Sequence, residues 1–331
     1  MKKKIRVGVV GCGNAAAWID KKSNKIKNNP FSHMSILFNN NNFEIVACCD
    51  LNDKKLKLFA KTFKIKNTYV SIKKMLYQNC IDLLLICSPT KFHYQHSRLA
   101  LYNKSVKAVV CEKPFGFNYK KARILISNFK KKKKLLIISY QRRWDKFYNN
   151  IRKYVSSKKL GKLISIIAHV DKALFQNSSH MIDLVVSLGG KVSKVNGFFD
   201  KTFQPRLVHN YKDYGGYIFI KHKNNIVSFI KASTDDVFKK YFELELNFSN
   251  GRILIKNDNE KFELYKFRNS NFFKGYKQLS LEKEFINKFN SGNRLKIMYN
   301  FILKFFKNKN IKAPFDLYET IEPLKILNKL R

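Results

Sequence analysis

The tetrapeptide Cys111-Glu112-Lys113-Pro114 sits where a chain can do chemistry. Val106 to Val110 before it is largely apolar, as a buried strand of a parallel sheet is when a turn signal follows. Pro114 lacks an N–H and has a fixed φ, so the strand must stop there. Glu112 and Lys113 are therefore expected at the carboxyl end of a strand, the edge where open α/β sheets bind ligands. A part-buried lysine at that edge can give or take a proton. In a chain this rich in lysine the competing reading is a solvated side chain, and the rest of the sequence decides between them.

Ile5 to Val10 reads as a strand, and Gly11-Cys12-Gly13-Asn14-Ala15-Ala16 follows at once. This is G-x-G-x-x-A on an expected strand–turn–helix frame, which makes Gly11, Gly13, Asn14 and Ala16 candidate dinucleotide contacts. Gly11 permits the tight turn, Gly13 lets the backbone approach a pyrophosphate, and Ala16 allows close helix–strand packing. The N-terminus of the expected helix would supply N–H donors. A second strand, Phe43 to Cys49, ends in Asp50. An acid there hydrogen-bonds the adenosine ribose and repels a 2′-phosphate, favouring NAD over NADP. Asp50 comes later than the usual spacing of about 20 residues after the glycines allows. Trp18 to Phe31, polar and rich in Lys and Asn, reads as an insertion that accounts for the difference, and as a solvated excursion.

The elements that must position these residues alternate. Leu56–Phe63 and Ile72–Tyr77 read as helices and Ile81–Cys87 as an apolar strand ending in Ser88-Pro89-Thr90. His93 and His96 open the next helix, and both also stand as plain helix-start or surface residues; His33 is read as structural. Ala122–Phe129 is a helix and Leu135–Tyr140 a further strand, so residues 1–140 form a doubly wound parallel sheet of the α/β class. After Tyr140 the texture changes, and 141–331 is expected to be a second, α+β domain. His180-Met181-Ile182-Asp183 starts a helix, and Tyr217–Lys221, Ile226–Ala232, Tyr241–Phe248, Arg252–Ile255 and Phe262–Phe267 read as strands of a mostly antiparallel sheet. Leu281 to Arg331 is helical in pattern.

The chain has 331 residues, is 45% hydrophobic and carries a formal net charge of +43. It is therefore no disordered chain, and its length suits two domains. Such a charge normally signals nucleic acid or an anionic membrane. The lysines are spread along the whole length, however, and no nucleic-acid-binding signature accompanies them. Lys130–Lys134 is read as a solvated turn, and anionic substrates would still be drawn in. Cys12, Cys48, Cys49, Cys80, Cys87 and Cys111 lie mostly in apolar runs without C-x-x-C spacing, the pattern of buried reduced thiols in a cytoplasmic protein. No metal site is expected. The basic start and Val9-Val10-Gly11-Cys12 mimic an export signal, but Arg6 interrupts it and Val7–Val10 is too short an apolar core. No run is long enough to span a membrane.

Gly11-x-Gly13-x-x-Ala16, Ser88-Pro89-x-x-x-His93, Cys111-Glu112-Lys113-Pro114, Arg142-Arg143 and His180-x-x-Asp183 occur in that order. Together they resemble the glucose–fructose oxidoreductase / inositol dehydrogenase (Gfo/Idh/MocA) family over nearly the whole chain. The resemblance implies an N-terminal Rossmann domain, a C-terminal α+β domain whose open sheet serves oligomerisation, and NAD(P)-dependent oxidation or reduction of a sugar, cyclitol or sugar nucleotide. It implies a homo-oligomer, dimer or tetramer. By that similarity Lys113 lies beside the nicotinamide and the reacting hydroxyl, His180 is the general acid/base and Asp183 a substrate anchor. Ser88, Pro89, His93 and Glu112 border the cofactor, and Arg143, Gln176 and Asn177 fall on the substrate side. One departure stands out: many members have Asp four residues before the histidine, where this chain has Gln176. Gln176-Asn177-Ser178-Ser179-His180 resembles a branch acting on nucleotide sugars and surface-polysaccharide precursors. Two other readings stay open, an NAD-retaining glycosidase or lyase and a non-catalytic dinucleotide sensor.

Overall fold

The computed structural model describes residues 3–22, 31–171, 173–208, 211–233, 241–286 and 292–330. The chain runs β1 (Ile5–Val10), α1 (His33–Leu37), β2 (Phe43–Cys49), α2 (Asp53–Phe63), β3 (Asn67–Tyr69) and α3 (Ile72–Gln78). It continues through β4 (Leu83–Ile86), α4 (Thr90–Tyr102), β5 (Ala108–Cys111), α5 (Tyr119–Lys131) and β6 (Leu135–Ile138). Next come α6 (Lys146–Ser157), β7 (Leu163–Val170), α7 (Ser178–Gly189), β8 (Val192–Asp200), β9 (Arg206–Val208) and β10 (Tyr211–Asp213). The strands β11 (Gly215–His222), β12 (Val227–Ala232), β13 (Phe242–Phe248), β14 (Gly251–Lys256), β15 (Lys261–Asn269) and β16 (Lys277–Ile286) follow. Helices α8 (Gly292–Lys307) and α9 (Glu322–Lys329) close the chain.

Two compact units result: Met1–Asp145 with Asn290–Leu324, and Lys146–Phe289 with Lys325–Arg331. A cut at 140/141 would leave the whole C-terminal segment with the second unit; the structure returns most of it to the first. The cause is the apolar stripe of α8, where Leu295, Met298, Tyr299, Ile302 and Phe305 recur at helical spacing and are buried.

The first unit is a six-stranded, all-parallel sheet in the order β3-β2-β1-β4-β5-β6. Apart from the short, mostly exposed edge strand β3, its strands are largely buried on both faces, which is why they are written as near-continuous apolar runs. Alternate residues go to opposite faces. Val7, Val9, Leu83, Leu85, Val110 and Ile137 share one core with residues of α1, α2 and α8. Leu84, Ile86, Val109, Cys111, Leu136 and Ile138 share the other with α3, α4 and α5. Strand order reverses between β1 and β4, the switch point at which such sheets bind ligands. The turn at Lys132–Lys134 is exposed apart from part-buried Lys134, with Lys133 left-handed at φ +52°.

The first βα connection departs from the expected strand–turn–helix. After Gly13 the chain makes turns, with Ala17 N–H donating to Gly13 O (3.1 Å) and Ile19 N–H to Asn14 O (3.1 Å), then a 3-10 segment Trp18–Lys22. The α-helix waits until His33. Asp20 explains the delay: its carboxylate accepts from the N–H groups of Phe31 (2.6 Å) and Ser32 (3.2 Å) and from the hydroxyls of Ser32 and Ser35. Ser32 then caps α1. Asp20 thus pins the end of the Trp18–Phe31 insertion near its start; residues 23–30, where its excursion was expected, lie outside the described residues.

The second unit holds an eight-stranded sheet in the order β16-β15-β14-β13-β7-β12-β11-β8. It is mixed: β7 and β12 run parallel, and the other pairs are antiparallel. Alternation of buried and part-exposed residues along β13 and β14 marks one packed and one open face, and α7 lies against β7 and β12. Leu281–Ile286 was expected to be helical; it is the end of β16, paired antiparallel with β15. β8 carries no clean apolar alternation and was not expected either. Cys80 is exposed and Cys87 part-buried, so the expectation of buried thiols holds for the other four. Among the described residues no helix is long and apolar enough to cross a membrane, and no cluster of His, Cys, Asp and Glu is placed to hold a metal ion.

Candidate dinucleotide site and catalytic loops

In the first unit the expected cofactor residues gather at the carboxyl ends of β1, β2, β4 and β5. Gly11 sits at φ +90°, and a Cβ there would lie 2.4 Å from the Ser88 backbone nitrogen. The loop after β1 therefore rests directly on the loop after β4, a contact only glycine permits. Gly13 is the opposite case: a Cβ on it would meet nothing within 4 Å, so its surface is open for a ligand to approach. Asn14 is exposed and Ala16 fully buried against the sheet. Asp50 follows β2, and its carboxylate accepts from the N–H of Cys12 (2.8 Å) and of Asn52 (2.8 Å). That ties the acid to the glycine loop and leaves it part-exposed. An open glycine backbone with a carboxylate fixed beside it fits the pyrophosphate and ribose of a dinucleotide. The fit lacks one expected part, because no α-helix starts at this loop.

The loops after β4 and β5 are joined by histidine. His93 is buried, with Nε2 2.6 Å from Ser88 O and Nδ1 2.8 Å from Pro114 O. Burial lowers its pKa despite those two carbonyls. It is thus no surface residue but a brace between the loops after β4 and β5. His96 Nδ1 meets the Ser88 hydroxyl at 3.0 Å, its ring stacks on Phe92, and burial lowers its pKa to about 4. Pro89 opens α4. Lys113 is part-buried at the end of β5.

Glu112, beside it, is held from an unexpected direction. Its Oε1 lies 2.9 Å from Nε2 of His33, whose Nδ1 lies 2.8 Å from the Tyr299 hydroxyl. His33 and Tyr299 are buried, and the Glu112 side chain is 14% exposed. Burial pushes the Glu112 carboxyl up, but the His33 hydrogen bond and charge and the Lys113 ammonium outweigh it, leaving its pKa below the ordinary value. His33 and Tyr299 carry no sequence signal of this role, since they are 79 and 187 positions from Glu112.

The second unit brings its own set together. A π-helical turn, Ala173–Asn177, leads straight into α7, with Ala173 at φ +67°. Asp213, fully buried, accepts from the N–H groups of Phe175 and Gln176, both at 2.9 Å. The Asn177 amide donates to Asp171 Oδ1 at 2.6 Å. These two aspartates, unread in the sequence, fix the turn that presents His180. His180 is part-buried on the first turn of α7 and Asp183 is buried one turn on.

Arg143, expected on the substrate side, has partners within the first unit. It belongs to the first unit, is buried, donates to Glu319 Oε2 at 3.1 Å and lies over the Phe315 ring. Its guanidinium anchors the C-terminal segment.

Residues 5–140 match the family model GFO_IDH_MocA, described as "Oxidoreductase family, NAD-binding Rossmann fold". The chain is 27% identical over 159 residues to D-glucoside 3-dehydrogenase of Escherichia coli K12, covering 48% of this chain and 41% of that protein. It is 26% identical over 262 residues to an inositol 2-dehydrogenase of Corynebacterium glutamicum, covering 72% and 73%. The WlbA dehydrogenase of Bordetella pertussis, solved in complex with NADH and UDP-GlcNAcA, superposes with a TM-score of 0.74 over 99% of this chain and 95% of that one, at 16% identity. The match thus spans less than half the length of the first relative. The likeness to that oxidoreductase family is thus carried by residues 5–140, its NAD-binding Rossmann portion.

Proposed function

We propose that the protein is an NAD-dependent oxidoreductase that moves hydride between the nicotinamide and a hydroxyl-bearing carbon of a sugar, with a nucleotide sugar as its substrate class. One observation carries the reading: Gly11, Ser88 and the Glu112-Lys113 pair converge at the switch point of one parallel sheet. Gly13 and Asp50 would hold the dinucleotide, and the carboxylate favours NAD over NADP. Bound NAD supplies the hydride acceptor. Lys113 holds the reacting hydroxyl by a hydrogen bond from its ammonium, and His180 removes the hydroxyl proton. Asp183 and the Gln176-Asn177 turn orient the sugar. A net charge of +43 draws a diphosphate-bearing substrate, and the UDP-GlcNAcA complex of the WlbA dehydrogenase supports that class.

The open sheet face supports a homo-oligomer. Phe198, Tyr217, Phe229 and Phe219 form a continuous ladder with centroid spacings of 5.0, 5.9 and 4.9 Å, and Phe198 and Phe219 are 57% and 45% exposed. An apolar patch of this kind is covered by self-association. Light scattering is expected to report a dimer or tetramer.

The activity test is a panel of UDP-hexoses, UDP-uronic acids, free sugars and cyclitols with NAD or NADH. The expected result is substrate-dependent change in nicotinamide absorbance. Turnover without net absorbance change would point to the NAD-retaining glycosidase or lyase instead, and NADH binding without turnover to a sensor.

A further inference from the structure

We propose that His33, braced by Tyr299, is a positioning residue for the catalytic loop: it fixes the Glu112 carboxylate beside Lys113 and so sets the charge around the Lys113 ammonium. The inference rests on the reading of Lys113 as the group that holds the reacting hydroxyl.

The geometry is a buried chain of three side chains drawn from distant parts of the first unit. Tyr299 on α8 meets His33 Nδ1 at 2.8 Å, and His33 Nε2 meets Glu112 Oε1 at 2.9 Å. An ionised carboxylate only accepts, so Nε2 must carry a proton and Tyr299 holds the other nitrogen. The rings of His33 and Tyr299 cross edge to face at 5.8 Å, and Phe43 packs on Tyr299 at 5.7 Å, so the imidazole has no room to turn away.

The groups around Glu112 leave its charge to be balanced from few sources. The thiols of Cys87 and Cys111 and the phenol of Tyr299 are all pushed up by burial and stay uncharged near neutral pH. Burial pushes His93 down. What remains is the His33 N–H, the Lys113 ammonium and the nearby Ser139 hydroxyl, all acting to keep the carboxylate ionised. The effect is reciprocal. If His33 is lost, the Glu112 carboxylate is no longer held beside Lys113, and Lys113 loses the neighbouring negative charge that favours its own protonated form. Asp20 and Ser32, which position the start of α1, contribute by holding His33 in place.

The test needs neither sugar nor NAD. Lys113 is labelled with acetic anhydride at a series of pH values, and the extent is read on its own peptide by mass spectrometry, with exposed Lys57 as the internal control. An opposite charge a few ångströms away moves a pKa by about 1 unit or more. Glu112→Gln and His33→Phe are therefore each expected to move the Lys113 midpoint down by about 1 unit and to leave Lys57 unmoved. His33→Gln, whose amide nitrogen can take the place of Nε2, is expected to restore most of the shift, which a loss of packing alone would not allow. Equal Lys113 midpoints in wild type, His33→Phe and Glu112→Gln would overturn the proposal. If His33→Phe does not fold, imidazole ¹⁵N–¹H spectra of wild type and Glu112→Gln decide. A downfield Nε2–H resonance that moves upfield without the carboxylate supports the chain, and an unmoved spectrum overturns it. Absence of sugar turnover would refute the redox reading while leaving this labelling result intact.

Discussion

Gly11 and Gly13 stand two residues apart and should fail in opposite ways. A methyl group on Gly11 would lie 2.4 Å from Ser88 N, 2.5 Å from Cys87 C and 2.6 Å from Cys87 O, all backbone atoms of the neighbouring strand end. Its φ of +90° adds strain of about 1–2 kcal/mol for any residue with a Cβ. Relieving the overlap requires the β1 and β4 loops to part, at about 1–3 kcal/mol by analogy with overpacked cores. Gly11→Ala is therefore expected to cost about 2–5 kcal/mol, the sum of those two contributions. With a slope near 3 kcal/mol/M in urea, the midpoint should fall by about 0.7–1.7 M. Gly13→Ala meets no protein atom within 4 Å and should leave stability within about 0.5 kcal/mol of wild type. Its methyl would instead stand where the pyrophosphate approaches, weakening NADH by about tenfold or more, equivalent to about 1.4 kcal/mol. Urea unfolding followed by tryptophan fluorescence and NADH titration measure the two arms. An unchanged midpoint in Gly11→Ala would refute the loop contact. Undiminished NADH affinity in a stable Gly13→Ala would refute the placement of the dinucleotide.

Other outcomes follow from the same geometry. Lys113→Met is expected to keep NADH binding and lose about 10²–10⁴-fold in turnover, and a variant within about threefold of wild type would demote the lysine. NADH should bind more tightly than NADPH, and Asp50→Ser should narrow the gap; tighter NADPH in the wild type would contradict the role given to Asp50. Asp82 is raised by burial but lowered further by Arg6, at 2.9 Å, and Lys107, so its folded pKa lies below its unfolded one. Its contribution is present above the unfolded pKa near 4 and is lost as pH falls through the lower, folded value. Asp82→Asn should cost about 1–3 kcal/mol in urea unfolding at pH 7 and progressively less in the acid range; a cost independent of pH would show that the charge is irrelevant.

Strands β1, β2, β4, β5 and β6 were legible in the sequence because a parallel sheet buried on both faces demands local apolar runs, and those runs end in glycine, proline or charge. The glycine loop, Asp50 and Lys113 were legible for the same reason: their positions at strand ends are local facts. The place of Leu281–Ile286 was not, because a short mixed segment becomes a strand only if β15 lies alongside to accept its backbone bonds. Nor was the break after Gly13, which depends on Asp20 reaching across the insertion to Phe31 and Ser32. The partners of Arg143, Glu319 and Phe315, lie far along the chain, so its own neighbours in sequence do not announce them. Glu112, His33 and Tyr299 carry the same lesson. Each alone is an ordinary acid, imidazole or phenol, and only the packing of α1 and α8 against one face of the sheet closes them into a buried chain. Local periodicity encodes how a segment buries its own apolar face, whereas the partner of a buried polar group is chosen by topology.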